Sequence, residues 1–251
     1  MSLDHAALSC DLICPITLEL PITPVTAEDG YVYEKEAIEM LIKTHRDKLK
    51  SPMTNAAMGQ RLFPAVRHKN VIEALVDGGV VNGELADKWK REAKEKKSKD
   101  DLLRKAFGGD SDAFCAVAQN YREGKAGFEQ DDKMACKWFK KAHAAGNVKG
   151  TSNFGYHIVK GKGTKTSHAK GMALIGVAAG NGCDWAAYFM GRAFASGSYG
   201  LDFDRDEAIR WLSKSLSDCR VTQLGKKGRE EAKKMLVELV NNAEADATTN
   251  T

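Results

Sequence analysis

An eight-residue pattern that returns twice constrains this chain more than any other feature. Val117-Ala118-Gln119-Asn120-Tyr121-Arg122-Glu123-Gly124 reappears as Phe154-Gly155-Tyr156-His157-Ile158-Val159-Lys160-Gly161 and again as Met190-Gly191-Arg192-Ala193-Phe194-Ala195-Ser196-Gly197, at offsets of 37 and 36 residues. Ten or eleven residues beyond each closing glycine a second helical signature follows: Ala135, Trp138 and Ala142, then Gly171, Leu174 and Ala178, then Ala208, Trp211 and Ser215. A period in the mid-thirties with two helices per unit predicts a solenoid of helical hairpins, because one hairpin cannot bury its apolar face alone. Small residues at fixed positions let the paired helices approach, and large ones fill the layer shared with the next unit. The ends of such a stack need covers. Leu102 to Phe107 suit one end, and Ala232, Met235, Leu236, Leu239 and Val240 suit the other; the polar stretch after Asn241 is expected to fray.

The first 80 residues are built differently. All five prolines (Pro15, Pro21, Pro24, Pro52 and Pro64) fall in the first 64 of 251 residues. Gly30 opens a Tyr31-Val32-Tyr33 strand, and the spacing from Glu34 to Thr44 sets Ala37, Ile38, Leu41 and Ile42 on one helical face. A second helix follows Pro64, with Val71, Ile72, Leu75 and Val76 on one side and Asp77-Gly78-Gly79 as its stop. Between the two regions, residues 80–107 read as a helical connector interrupted by an N-cap at Asp100-Asp101.

Charge and cysteines exclude several classes. The net charge is +4: residues 1–79 carry −3, the connector +3 with 9 bases against 6 acids, and the remainder +4 with 21 bases against 17 acids. Glu84 to Lys88, Asp87 to Arg91, Glu92 to Lys96 and Glu95 to Lys99 each put an acid four residues before a base, which favours a solvated, salt-bridged helix over a nucleic-acid stripe. The most apolar window, Gly171 to Gly180, is ten residues long, against the roughly 20 needed to span a bilayer. With no export signal in view, the six cysteines read as thiols and the cytoplasm, or alternatively the nucleus, as the location. Cys10, Cys14, His45 and His68 lack the short spacing of a zinc site, so no metal and no cofactor is expected, and Cys14 reads as a small buried side chain. His143, His157 and His168 do not recur at equivalent repeat positions and read as packed or surface residues.

The repeats resemble the Sel-one-like family, relatives of the tetratricopeptide repeats, over residues 108 to 219, with Ala118, Ile158 and Leu174 as departures that keep the role of small or bulky filler. The resemblance implies an adaptor that binds protein segments along a groove. Residues 11 to 75 resemble a U-box, the zinc-free relative of the RING domain of ubiquitin ligases. The resemblance runs through Cys14-Pro15-Ile16-Thr17-Leu18-Glu19-Leu20, Pro24-Val25, Gly30 with Tyr33-Glu34-Lys35, Ile38-Glu39, Ser51-Pro52-Met53-Thr54-Asn55 and Leu62-Phe63-Pro64. It implies a multidomain chain: a small α+β, zinc-free RING-like U-box at 8–79, the connector at 80–107, three repeats of an all-α helical-hairpin solenoid at 108–219, a capping helix at 220–243 and a polar tail at 244–251.

The function implied is transfer of ubiquitin from a charged conjugating enzyme to a protein substrate or adaptor held by the repeats, with no catalytic nucleophile on this chain. Ile16, Leu18, Leu41 and Pro52 occupy the family's enzyme-binding positions, and Asn55 the position that activates transfer, where relatives often carry Arg and some carry Asn. By alternation alone, Ile16 and Leu18 also fit core residues of a strand. Ala65 stands where the family commonly has Asn. Asn55 and Ala65 leave open a non-catalytic scaffold with a degenerate U-box, used for protein contact or homodimer formation. Membranes are excluded as partners. Nucleic acid on the basic connector stays as the remaining rival, readable by steep salt dependence.

Overall fold

The computed structural model describes residues 12–45, 48–217 and 219–249, with side chains to 242; Cys10 lies outside the described residues. The chain divides into two compact units, Met1–Ser98 and Lys99–Thr251.

In the first unit, β1 (Pro24–Ala27), β2 (Val32–Glu34) and β3 (Leu62–Pro64) form an antiparallel sheet in the order β2-β1-β3, with Val25 opposite both Tyr33 and Pro64. α1 (Lys35–Thr44) follows β2, and α2 (Val66–Asp77) follows β3. Tyr33 and Ile38 are fully buried with Cys14, Val25 and Ala27, so the predicted faces of strand and helix meet in one core. A second cluster joins Leu20, Ile72 and Val76 to Val81, Ala86 and Trp89. The last three belong to or precede α3 (Gly83–Phe107), a single unbroken helix. The expected N-cap at Asp100-Asp101 is therefore absent. No glycine or proline interrupts the stretch after Gly83, and Asp101 pairs with Arg104 one turn on at 3.0 Å.

The second unit is the hairpin stack. α4 (Ser111–Glu123) pairs with α5 (Asp132–Ala144), α6 (Val148–Lys160) with α7 (His168–Gly180), and α8 (Asp184–Ser196) with α9 (Arg205–Leu216). Gly124, Gly161 and Gly197 close the first helix of each pair in the left-handed conformation, at φ 63, 66 and 60°. Only glycine adopts that cap without cost, which accounts for its place at the end of each octapeptide. The small residues mark close approach: a Cβ on Gly191 would stand 2.7 Å from the Leu212 side chain, and one on Gly155 would stand 2.9 Å from the Gly171 carbonyl. Between layers, Val117, Phe139, Trp138 and Ile158 fill one cluster, and Ile175, Met190 and Ala193 another. A buried phenylalanine such as Phe139 contributes about 1.5–3 kcal/mol by leaving water.

Leu102, Leu103 and Ala106 close one end of the stack. At the other, α10 (Lys226–Thr249) lays Ala232, Met235, Leu236 and Leu239 against Leu212 and Tyr188. Where fraying was expected after Asn241, the backbone stays helical to Thr249, through an alternation of alanine with Glu244 and Asp246 that suits a helix. α10 is anchored by Asp184, which is fully buried: its Oδ1 accepts from the backbone N–H groups of Trp185, Gln223 and Leu224, and its Oδ2 from the Arg229 guanidinium at 2.8 Å. Among the described residues no helix is long and apolar enough to cross a membrane, and no group of three His, Cys, Asp or Glu side chains is placed to share a metal ion.

Candidate protein-interaction site

The segment between Cys14 and Leu20 is a tight turn. Leu18 N–H donates to the Cys14 carbonyl at 2.8 Å, and Cys14 N–H donates to the Glu19 carbonyl at 2.9 Å. The turn forces Leu18 to φ 59° and leaves its side chain 74% exposed. A leucine in the left-handed region costs about 1–2 kcal/mol, and burial of its side chain returns none of it. The core-strand reading therefore fails for Leu18. Ile16, by contrast, is half-buried against the Cys14, Tyr33 and Ile38 cluster, where Leu41 of α1 also rests.

Ser51 organises the second loop. Its buried hydroxyl accepts from Met53 and Thr54 N–H at 3.1 and 3.0 Å, its N–H donates to the Ala56 carbonyl, and its carbonyl accepts from Asn55 N–H. This holds Pro52 outward. Asn55, also exposed, sits at φ 58°, a conformation that asparagine tolerates better than any other residue with a side chain except aspartate. Ile16 and Leu41 thus share one cluster, while Leu18, Pro52 and Asn55 are exposed on their two loops. Ala65 caps α2 with no side-chain hydrogen bond, a loss of about 1 kcal/mol relative to asparagine.

Sequence reasoning placed Glu34 at the start of the helix but missed that its side chain ties separate segments of the first unit. Its carboxylate accepts from Ile22, Thr23 and Lys35 N–H at 2.6, 3.0 and 3.1 Å, tying the entry to β1 to the start of α1. Its own N–H donates to Cys14 Sγ at 3.1 Å. The signal was an acidic residue between a strand and a helix, the place of an N-cap. Tyr33 donates to Asp29 at 2.7 Å, and burial together with that bond pushes its hydroxyl above the usual range. Arg61 with Glu28, Lys96 with Glu36 and Lys88 with Glu19 add ion pairs between segments far apart in sequence. Hydrogen bonds and ion pairs brace these loops.

The second unit carries a groove of about 1150 Å³ on the face formed by α4, α6, α8 and α10; the second helices of the hairpins take no part in it. Its lining follows the octapeptide. The third positions, Gln119, Tyr156 and Arg192, and the seventh, Glu123, Lys160 and Ser196, all reach it. Aromatic rings form a ladder along the groove: Tyr156 to Trp185 at 5.5 Å, Trp185 to Phe189 at 5.3 Å and Phe189 to Tyr199 at 5.3 Å. Cations interleave with the rings. Lys160 lies 4.7 Å from the centre of Tyr199 and donates to its hydroxyl at 2.6 Å, Lys162 lies 5.8 Å from Tyr156, and Arg192 lies 5.5 Å from Tyr188.

Five bases line the groove, Arg122, Lys149, Lys160, Lys162 and Arg192, against two acids, Glu123 and Glu231. Lys125, Arg122 and Gln119 bind the Glu123 carboxylate and hold its pKa down to about 2. Tyr188 is 6% exposed, and its hydroxyl lies beside the Glu231 carboxylate and the Arg192 guanidinium. Burial and the nearby Glu231 carboxylate push its pKa up, so it remains a protonated donor.

The U-box domain family matches residues 10–77. The chain is 54% identical over 48 residues to the human WD repeat, SAM and U-box domain-containing protein 1, covering 19% of this chain and 10% of that protein. It is 53% identical over 53 residues to the Danio rerio protein of the same name, covering 21% and 10%. The matched stretch thus spans a tenth of each relative. Among solved structures, a Sel1 repeat protein from Oxalobacter formigenes is 27% identical and aligns over 57% of this chain and 98% of its own, with a TM-score of 0.46. The c5321 protective antigen of uropathogenic Escherichia coli, which displays an SLR fold, is 22% identical over 71% of this chain and 32% of its own, with a TM-score of 0.43. Residues 10–77 of this chain are a U-box domain, a domain type consistent with ubiquitin-ligase function, and an all-α repeat solenoid follows it.

Proposed function

We propose that this protein is a ubiquitin-protein ligase whose U-box binds a ubiquitin-charged conjugating enzyme and whose solenoid selects the protein that receives ubiquitin. Ile16, Leu18, Leu41 and Pro52 form the enzyme-binding surface, and the Asn55 amide donates to the charged complex. The chain supplies no nucleophile; the gain comes from holding thioester and acceptor lysine in one orientation. The observation that carries the reading is Leu18, a large apolar side chain kept exposed at φ 59° by a braced turn within a matched U-box. Strain maintained with no return in burial points to a use outside the fold. A small apolar patch suits a weak complex that is released after each transfer.

The test is reconstituted autoubiquitination with an activating enzyme and a panel of conjugating enzymes. Leu18→Asp and Pro52→Ala change exposed side chains, so both variants should melt like the parent and lose the ladder. Ile16→Asp should lose it as well, with some loss of stability because Ile16 packs on the core. Leu18→Gly should relieve the turn, leave stability equal or higher by up to about 1 kcal/mol, and still lose activity. Ladders that survive Leu18→Asp would overturn the assignment of this surface.

A second reading, a non-catalytic scaffold, is favoured by the missing side-chain cap at Ala65. It requires that the folded parent protein produce no ladder with any member of the panel. The fitness of asparagine for the backbone at position 55 weighs against counting Asn55 as decay.

A further inference from the structure

The solenoid groove has a composition that its role as a substrate-selecting face, on which this inference rests, does not by itself require. Of its two acids Glu123 is on α4 and Glu231 is on α10, where it lies beside Tyr188, and the bases Lys149, Lys160, Lys162 and Arg192 lie on the elements between these two helices in sequence. Glu123 is already engaged by Arg122 and Lys125 at 3.1 and 3.0 Å. Lys160 bonds a neutral hydroxyl, which leaves its charge uncompensated by that contact. Tyr188 is engaged by its neighbours, with the Glu231 carboxylate beside its hydroxyl and Arg192 over its ring.

We infer that the groove takes an extended, acidic segment of a protein partner, with a large apolar side chain among its carboxylates and the carboxylates set against Lys149, Lys160, Lys162 and Arg192. Charge sets the sign of the ligand, and the aromatic ladder supplies apolar contact beside each cation. The rings do not suit nucleobases. Tyr156 meets Trp185 and Phe189 at interplanar angles of 82 and 90°, and Phe189 already stacks on Tyr199 at 23°, so ring faces are spent on one another. Base stacking needs such faces open. Neighbouring helices about 10 Å apart place α4 and α8 roughly 20 Å from each other, the reach of about six extended residues.

The test uses the full chain and fluorescence anisotropy. The probe is a fluorescein-labelled peptide, Gly-Asp-Glu-Phe-Asp-Glu-Leu-Gly, amidated at its C-terminus so that only side-chain carboxylates are offered. A second peptide carries lysine in place of each acid, and unlabelled oligothymidylate serves as competitor. The acidic peptide should bind and the lysine peptide should not. Arg192→Glu and Lys160→Glu should each weaken binding about tenfold or more. Equal binding of both peptides, or binding unchanged in both variants, would overturn the inference, as would tighter binding of oligothymidylate than of the acidic peptide. Autoubiquitination is measured on the same samples. Ladders without peptide binding defeat the groove assignment and leave the ligase reading standing, whereas peptide binding without ladders does the reverse.

Discussion

His157 lies fully buried on α6, its ring 5.2 Å from that of Phe139 and its Nδ1 3.0 Å from the Lys162 carbonyl. A carbonyl only accepts, so Nδ1 carries the proton and Nε2 is a bare nitrogen with no partner among the described residues. Burial lowers the pKa of this imidazole, with Arg122 and Lys162 adding to the shift and Asp132 and the Lys162 hydrogen bond opposing it. The unfolded chain takes up the proton near pH 6.5, and the folded chain resists it, so stability is complete above that pH and declines as pH falls below it. We expect the solenoid to melt at constant temperature from pH 8 to 7 and at falling temperature from pH 6.5 to 5, with a slope that approaches about 1.4 kcal/mol per pH unit. His157→Phe should flatten that profile even though it gives up the Lys162 bond; an unchanged profile would assign the effect to other groups. Spacing along the chain classed His157 as packed or surface and could not say which, because the seal comes from Phe139 and from the turn at Lys162. Leu18 poses the same problem in reverse. Its alternation with Thr17 and Glu19 reads equally as strand or loop, and only the two backbone bonds of the turn decide it.

Along α7 two glycines face different surroundings, and their replacement should have opposite effects. A Cβ at Gly171 would stand 2.4 Å from Val159 and 2.8 Å from the Gly155 carbonyl, whereas one at Gly176 would meet nothing nearer than the Met190 terminal methyl at 3.9 Å. Gly171→Ala should destabilise by about 1–3 kcal/mol through forced separation of α6 and α7. Gly176→Ala should stabilise by about 0.5–1 kcal/mol by removing backbone freedom from the unfolded chain. Urea denaturation of the two variants reads both signs. The octapeptide made all six hairpin helices and their small contact positions legible, since period and close packing are local properties of sequence. The connector was less legible. Its acid-to-base spacing described self-contained pairs, yet Lys88 reaches Glu19 and Glu92, Lys96 reaches Glu36, and Lys99 donates to the Gly127 carbonyl. Those partners lie up to 69 residues away, beyond anything a helical period encodes.

For the molecule as a whole, the two proposed surfaces belong to separate compact units with separate cores, Met1–Ser98 and Lys99–Thr251. Fusing the acidic segment to an acceptor protein should therefore speed ubiquitination of that acceptor by raising its local concentration. Free acidic peptide and Arg192→Glu should each cancel the gain while autoubiquitination continues, and Leu18→Asp should abolish both reactions; gel quantification of acceptor and ligase ladders separates these outcomes. The U-box blocks were legible because they lie close together in sequence, but the sign and shape of the groove were not, since they arise from side chains 30 to 40 residues apart brought onto one face. Within each octapeptide the second residue is Ala118, Gly155 or Gly191 and the eighth is Gly124, Gly161 or Gly197, whereas the third and seventh differ from unit to unit and face the groove. Architecture and, on the proposed reading, selectivity are thus encoded at neighbouring letters of the same short word. A substitution at an exposed letter can then change what the groove offers a partner while the small residues and glycine caps that hold the hairpins together stay in place.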